Sequence, residues 1–168
     1  VDHPLAAYLL LMAELCEALH RMSGRFPDVD IVYPVHLNPR VDEPVRSRLG
    51  DVRNIFLLPP VPYPALVYLL RRAELVITDS GGIQEEAPSF GVPVLVTRAA
   101  TERPEAIEAG IATLVGTDPV AIEEAAAERL TSGPRPPSAA VAANPFGDGH
   151  AAAAIRDHIF GLAPTLLA

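Results

Sequence analysis

Residues 78–86 read TDSGGIQEE, and they follow the apolar run ELVIT at 74–78. A buried strand that ends in Asp79-Ser80 and hands over to two glycines can bring backbone amides close to an anion. The amides of Ser80, Gly81 and Gly82 would then sit at a helix N-terminus, where unpaired N–H groups and the helix dipole favour negative charge. Glycine also permits a positive φ at such a turn. Glu86 falls one turn into that helix, on the side of Gly82, where a carboxylate can accept two hydrogen bonds from a diol. The competing reading is a tight turn with a serine cap and acidic residues in the first turn.

Three further groups end strands or open helices. Arg98 and Arg103 flank the polar loop TERPE at 101–105, and an arginine there can reach a bound anion. The alternative is a surface arginine paired with Glu102 or Glu105. His36, within PVHLNP at 34–39, closes another strand and reads as a ligand contact or a structural histidine. The word NPFGDG at 144–149 is a turn feeding a helix. No cluster of Cys, His, Asp and Glu has metal-ligand spacing, so no metal is inferred.

The elements that must position these residues alternate. Helices are expected over 5–22 (ended by Ser23-Gly24), 39–49 (capped by Asn38 with Pro39 at the first position, closed by Gly50), 64–73, 82–90, 102–109, 119–131 (capped by Asp118) and 149–162. Strands are expected over 30–35, 54–58, 74–78, 93–97 and 113–115. Apolar runs at βαβ spacing imply an α/β fold: a doubly wound, mostly parallel Rossmann-like sheet with right-handed crossovers. Ligands in such sheets bind at the carboxyl ends of the strands. Residues 132–143, rich in Pro, Ser and Ala, read as a loop within one domain spanning 1–168.

Bulk properties narrow the classes. The 168 residues can bury a core without staples, and 49% of them are hydrophobic. The net charge of −8 argues against a nucleic-acid surface. The single cysteine, Cys16, excludes a disulfide framework and fits a cytoplasmic setting; in an apolar helical run it reads as a buried thiol. The run 8–13 is too short to span a bilayer. All 13 basic residues are arginine, which reads as compositional bias, not function. The first residue, Val1, fits either a fragment or a start codon read as valine.

Taken together, FPDVDIVYPVHLNPRV, TDSGGIQEEAPSFGVPVLVTR, TERPEAIEAG, LVGTD and NPFGDG resemble, in order and spacing from Phe26 to Gly149, the carboxyl-terminal half of the non-hydrolysing UDP-N-acetylglucosamine 2-epimerases. The resemblance implies one half of a GT-B-like two-domain architecture, with the active site in the cleft between two Rossmann-like domains. It implies interconversion of UDP-GlcNAc and UDP-ManNAc by elimination of UDP and its re-addition, with no cofactor and no metal. It assigns the phosphates to Ser80, Gly81 and Gly82, the ribose to Glu86, the substrate's anionic part to Arg103, a catalytic role to His3 and a regulatory UDP-GlcNAc contact to His36. It implies an amino-terminal epimerase domain, in cis or trans, as the source of the acid–base carboxylates, and a homodimer.

The chain departs from the family in two places. The family's active-site histidine is followed by two arginines, a glutamate and an asparagine, whereas His3 is followed by Pro4-Leu5-Ala6-Ala7; the strand before His3, central in a doubly wound sheet, is missing. Val61 and Leu66 stand where the family carries a glutamine and a phenylalanine near uracil, so the base is expected to be held less specifically. Two other classes follow from the same features: a catalytically silent UDP-sugar-binding or regulatory module, and a GT-B glycosyltransferase domain, which TERPE and NPFGDG fit less well.

Overall fold

The computed structural model describes residues 4–133 and 144–166. His3 and residues 134–143 of the Pro/Ala/Ser-rich loop lie outside the described residues. Seven helices and five strands are described: α1 (Pro4–Arg25), β1 (Ile31–Pro34), α2 (Pro39–Leu49), β2 (Ile55–Leu58), α3 (Tyr63–Arg72), β3 (Val76–Thr78), α4 (Gly81–Glu86), β4 (Val94–Val96), α5 (Pro104–Glu108), β5 (Ala112–Leu114), α6 (Pro119–Thr131) and α7 (Ala151–Leu166). A 3-10 turn, Ala87–Phe90, continues α4.

Local chemistry explains the firmest boundaries. Asn38 Oδ1 accepts from the Arg40 N–H at 3.0 Å, ahead of Pro39 at the first position of α2. Its buried residues Val41, Val45 and Leu49 recur every four residues, giving one apolar stripe. Asp118 Oδ1 accepts from Val120 N–H at 2.9 Å and Ala121 N–H at 2.8 Å, which starts α6. One expected boundary is corrected: Ser23-Gly24 do not end α1, which runs on to Arg25. Ser23 is buried, and its hydroxyl donates to the His20 carbonyl at 2.9 Å, so the side chain is satisfied without breaking the helix.

All the strand pairs are parallel, but the ladder comes in two pieces, β1–β2 and β3–β4–β5. Two apolar clusters cover opposite faces. On the first face Met12, Cys16 and Leu19 of α1, Val41, Val45 and Leu49 of α2, and Ile122 and Ala126 of α6 meet Val35, Ile55 and Leu95. On the second face Leu70 of α3, Ala87 and Ala106 of α5 meet Val94, Val96 and Ala112. Alternate residues of β4 therefore point into different clusters, and Val94, Leu95 and Val96 are at most 1% exposed. This is the doubly wound arrangement, with helices on both faces.

α2 packs on the first face, whereas α3, α4 and α5 pack on the second. The first-face cluster spans both pieces, since Leu95 and Ile122 pack with Val35 and Ile55. Two ion pairs brace it at the rim: Arg21 Nε and Arg25 Nη1 of α1 meet Glu123 of α6 at 2.6 and 3.2 Å.

The buried cysteine expectation holds. Cys16 is 2% exposed, and burial pushes its thiol above the ordinary range, with Arg48 pulling weakly the other way. No described helix is long and apolar enough to cross a membrane.

Candidate nucleotide-binding site

β3 ends at Thr78, whose Oγ1 accepts from the Ser80 N–H at 3.0 Å. That bond turns the chain out of the sheet and occupies the Ser80 amide. Ser80 then stands at the N-cap of α4 in an extended conformation, and its hydroxyl makes no capping bond. Helix geometry leaves the first-turn amides of Gly81, Gly82 and Ile83 without intrahelical acceptors. The freedom of glycine to take positive φ is not used here: both are helical residues, and neither is among the positive-φ glycines. At 81 a side chain would crowd the movable ends of two side chains, not backbone. A Cβ there would stand 3.0 Å from Glu102 Oε1 and 3.7 Å from Arg103 Nη2. At Gly82 the nearest atom would be Ser80 Oγ at 3.9 Å, so that side faces open space.

The loop after β4 closes over this turn. Arg103 stands at the N-cap position of α5 and pairs through Nε with Glu85 of α4, while its Nη1 donates to the Glu102 carbonyl at 3.2 Å. The remaining nitrogen, Nη2, is the atom nearest Gly81 on this side chain. Arg98 Nη1 holds Glu102 Oε2 at 2.7 Å. The alternative of a surface arginine paired with Glu102 therefore holds for Arg98, whereas Arg103 pairs with Glu85, because α4 and the loop lie side by side. Glu102's own backbone N–H, and then Arg98 and Arg103, hold its carboxyl below the ordinary range against the opposing pull of burial. A negative oxygen therefore stands beside Gly81, and an arriving anion must displace it.

Buried polar groups tie the loop to α4. Gln84 is fully buried, and its Oε1 accepts from Thr101 Oγ1 at 2.6 Å; Thr101 Oγ1 accepts in turn from the Arg103 N–H at 3.1 Å. Gln84 Nε2 has no partner among the described residues. Glu86 ends α4 beside Tyr63, the first residue of α3. Its charge foremost, then burial and a hydrogen bond, hold the Tyr63 phenol above its ordinary range. Glu86 Oε2 is buried and has no hydrogen-bond partner among the described residues. Gln84, Glu85, Thr101 and Tyr63 were not singled out by sequence reasoning. The signal available was the helical spacing that puts Gln84 and Glu85 opposite the loop after β4.

The structure thus brings Ser80, Gly81, Gly82, Glu86 and Arg103 around one strand-to-helix turn. It does not bring His36 there. His36 is exposed just after β1, and its Nδ1 accepts from the Asn38 N–H at 3.1 Å. The NPFGDG turn docks on the second face: Asn144 Nδ2 donates to Ser89 Oγ at 2.7 Å, and Phe146 packs on the apolar cluster. A shallow cavity lies at the carboxyl ends of β3 and β4, between Asp79 and Thr97 on one side and Leu11, Met12, Leu15 and Ile122 on the other.

A family model described as UDP-N-acetylglucosamine 2-epimerase matches residues 3–160. The chain belongs to the UDP-N-acetylglucosamine 2-epimerase family. It is 52% identical over 141 residues, 84% of this chain, to a probable UDP-N-acetylglucosamine 2-epimerase of Ralstonia nicotianae, of which that stretch is 38%. It is 50% identical over 144 residues, 86% of this chain and 38% of the relative, to the Escherichia coli K12 enzyme of that name. The fold superposes on S. aureus MnaA, solved with UDP, at a TM-score of 0.81 and 39% identity over 89% of this chain and 40% of that one. A Neisseria meningitidis UDP-GlcNAc 2-epimerase bound to UDP-GlcNAc gives 0.80 and 36% over 89% and 40%. The chain therefore spans about two-fifths of the length of the relatives it matches. The solved members confirm the Rossmann-like, GT-B-type fold class.

Proposed function

We propose that this chain is the nucleotide-binding part of a UDP-GlcNAc 2-epimerase, holding UDP-GlcNAc or UDP at the β3–α4 turn and acting with an amino-terminal epimerase domain supplied in cis or trans. One observation supports the reading: Arg103 Nη2 stands beside Gly81 where α4 begins after β3, and Glu86, at the other end of that short helix, has a buried oxygen with no hydrogen-bond partner among the described residues, in a chain of this family. On this reading the amides of Gly81 and Gly82, with Ser80, take the diphosphate, and Arg103 adds charge from above. Glu86 accepts from the ribose hydroxyls, so its unpartnered oxygen gains donors on binding.

The reaction needs a proton removed from C2 and later returned on the opposite face, with UDP leaving and re-adding at C1. This site's part is to hold the leaving UDP in place and to neutralise its charge. The acid–base carboxylates belong to the amino-terminal domain, and Glu85, committed to Arg103, does not replace them. His3 is assigned a role at the cleft and His36 a contact with a second, regulatory UDP-GlcNAc. Homodimerisation and a cytoplasmic setting belong to the same reading.

Calorimetric titration of UDP and UDP-GlcNAc into wild type and Gly81→Asp tests the site. Wild type is expected to bind both. Gly81→Asp is expected to lose binding by at least about a hundredfold, because the added carboxylate meets Glu102 and occupies the anion's position. No binding to wild type ends the reading. A second reading, a silent UDP-sugar-binding module, is favoured by Pro4-Leu5-Ala6-Ala7 in place of the family's arginine-rich word. Epimerisation assays with and without an added amino-terminal domain separate the two.

A further inference from the structure

Gln84 is fully buried on α4, yet it carries two polar groups, and its Nε2 finds no partner among the described residues. An apolar side chain of the same shape would pack there with less loss, because a buried donor left unpaired costs stability. What the amide does gain is specific. Its Oε1 accepts from Thr101 Oγ1 at 2.6 Å, and Thr101 Oγ1 accepts from the Arg103 N–H at 3.1 Å. A hydroxyl has one hydrogen to give, and with the Arg103 amide donating to its oxygen that hydrogen goes to Gln84. The three groups form a relay from α4 to the backbone of Arg103.

That relay ends where Arg103 is most readily set. Arg103 stands at the N-cap of α5 with φ −124° and ψ 60°, and Pro104 after it disfavours helical backbone there. Its N–H is held through Thr101 by Gln84, its Nε by Glu85, and its Nη1 by the Glu102 carbonyl at 3.2 Å. Two of these three anchors trace back to adjacent residues of α4. Nη2 is left beside Gly81. Gln84 also shapes the opposite wall: its own N–H donates to the Ser80 carbonyl at 3.2 Å, which closes the first turn of α4. One residue thus sets the separation between the glycine turn and the guanidinium.

We infer that Gln84 is a positioning residue for the diphosphate: acting through Thr101, it fixes Arg103 where Nη2 meets an anion held by Gly81 and Gly82. This rests on the nucleotide reading above and goes beyond it, since Gln84 is sealed from solvent and acts only through its neighbours. A guanidinium free to swing loses conformational freedom when an anion arrives, whereas one anchored beforehand does not.

Two variants of nearly constant volume test this in the full chain. Gln84→Met and Thr101→Val each remove one link of the relay. Each is expected to weaken UDP binding about tenfold by calorimetry, the double variant no more than either single one, and Thr101→Ser, which restores the hydroxyl, to recover affinity to within about twofold. In an Arg103→Ala background, Gln84→Met is expected to add less than about twofold. A glutamine serving only the fold would lower the urea midpoint and act equally in both backgrounds. The ligand-free chain gives a second readout. The Arg103 Nε–H proton resonance, identified by its loss in Arg103→Ala, is expected to be sharp in wild type and broadened by exchange with water in Gln84→Met and Thr101→Val. Unchanged UDP affinity in the folded variants, or equal losses with and without Arg103, overturns the inference and leaves the nucleotide reading standing. If Gln84→Met does not fold, Thr101→Val makes the same comparison. Wild type that binds no UDP sinks the nucleotide reading, and the Nε–H resonance then decides alone whether Gln84 positions Arg103: a sharp signal in both variants overturns it.

Discussion

At the residue scale, Asn54 is the least conspicuous determinant of the fold. It is buried, and its Nδ2 donates to the carbonyls of Val29 at 2.9 Å and Phe26 at 3.2 Å, with Ser23 at 3.4 Å. One amide thereby satisfies the turn between α1 and β1. Asn54→Ala removes the shared side-chain donor, leaving Phe26 C=O only the Val29 N–H at 3.0 Å, and is expected to cost about 2 kcal/mol in urea unfolding; a change below about 0.5 kcal/mol would show that water replaces the amide. Glu102 matters in the opposite sense. Its Oε1 stands beside Gly81, where the proposed diphosphate enters. Glu102→Gln removes a like charge and frees Arg98, so UDP affinity is expected to rise roughly threefold to tenfold by calorimetry. Unchanged or weaker binding would place the anion elsewhere. Neither residue carries a sequence signal of its role: an asparagine opening a strand and a glutamate in a polar loop are ordinary, and only tertiary packing shows what each one meets.

At the scale of elements, α1 and α6 are the pair to perturb. They lie 98 to 102 residues apart in the chain and are latched by Arg21 and Arg25 on Glu123. The hydrogen bond from Arg21 is the largest influence holding the Glu123 carboxyl below its ordinary range, against burial and with Arg25 helping. A carboxylate depressed in the folded state stabilises fully above its unfolded value, about 4.3 for glutamate. That stabilisation is lost as the pH falls through the folded value. Glu123→Gln is therefore expected to be less stable than wild type at pH 7, with the gap closing below pH 4; urea midpoints at both pH values check this, and a constant gap would refute it. The elements themselves were largely legible: α2 and α6 begin where Asn38, Pro39, Asp118 and Pro119 require. The end of α1 was not, because Ser23 bonds back to its own helix and its neighbours bury it. The conversion of the last turn of the 82–90 helix to 3-10 was also hidden, since it follows Pro88 and the left-handed Gly91 (φ 67°).

At the scale of the whole molecule, the doubly wound class was legible from alternating apolar runs, and the family from five ordered words. Of the site, the residues of the turn were legible and their neighbours were not, because Tyr63, Gln84 and Thr101 reach it through packing across α3, α4 and the β4–α5 loop. The latch between α1 and α6 has a further consequence for the order of folding. Arg21 and Glu123 are 102 residues apart in the chain, so closing that contact costs more loop entropy than closing the short crossovers between neighbouring strands. The first-face cluster that α1, α2 and α6 share is therefore expected to close late, after the local βαβ contacts.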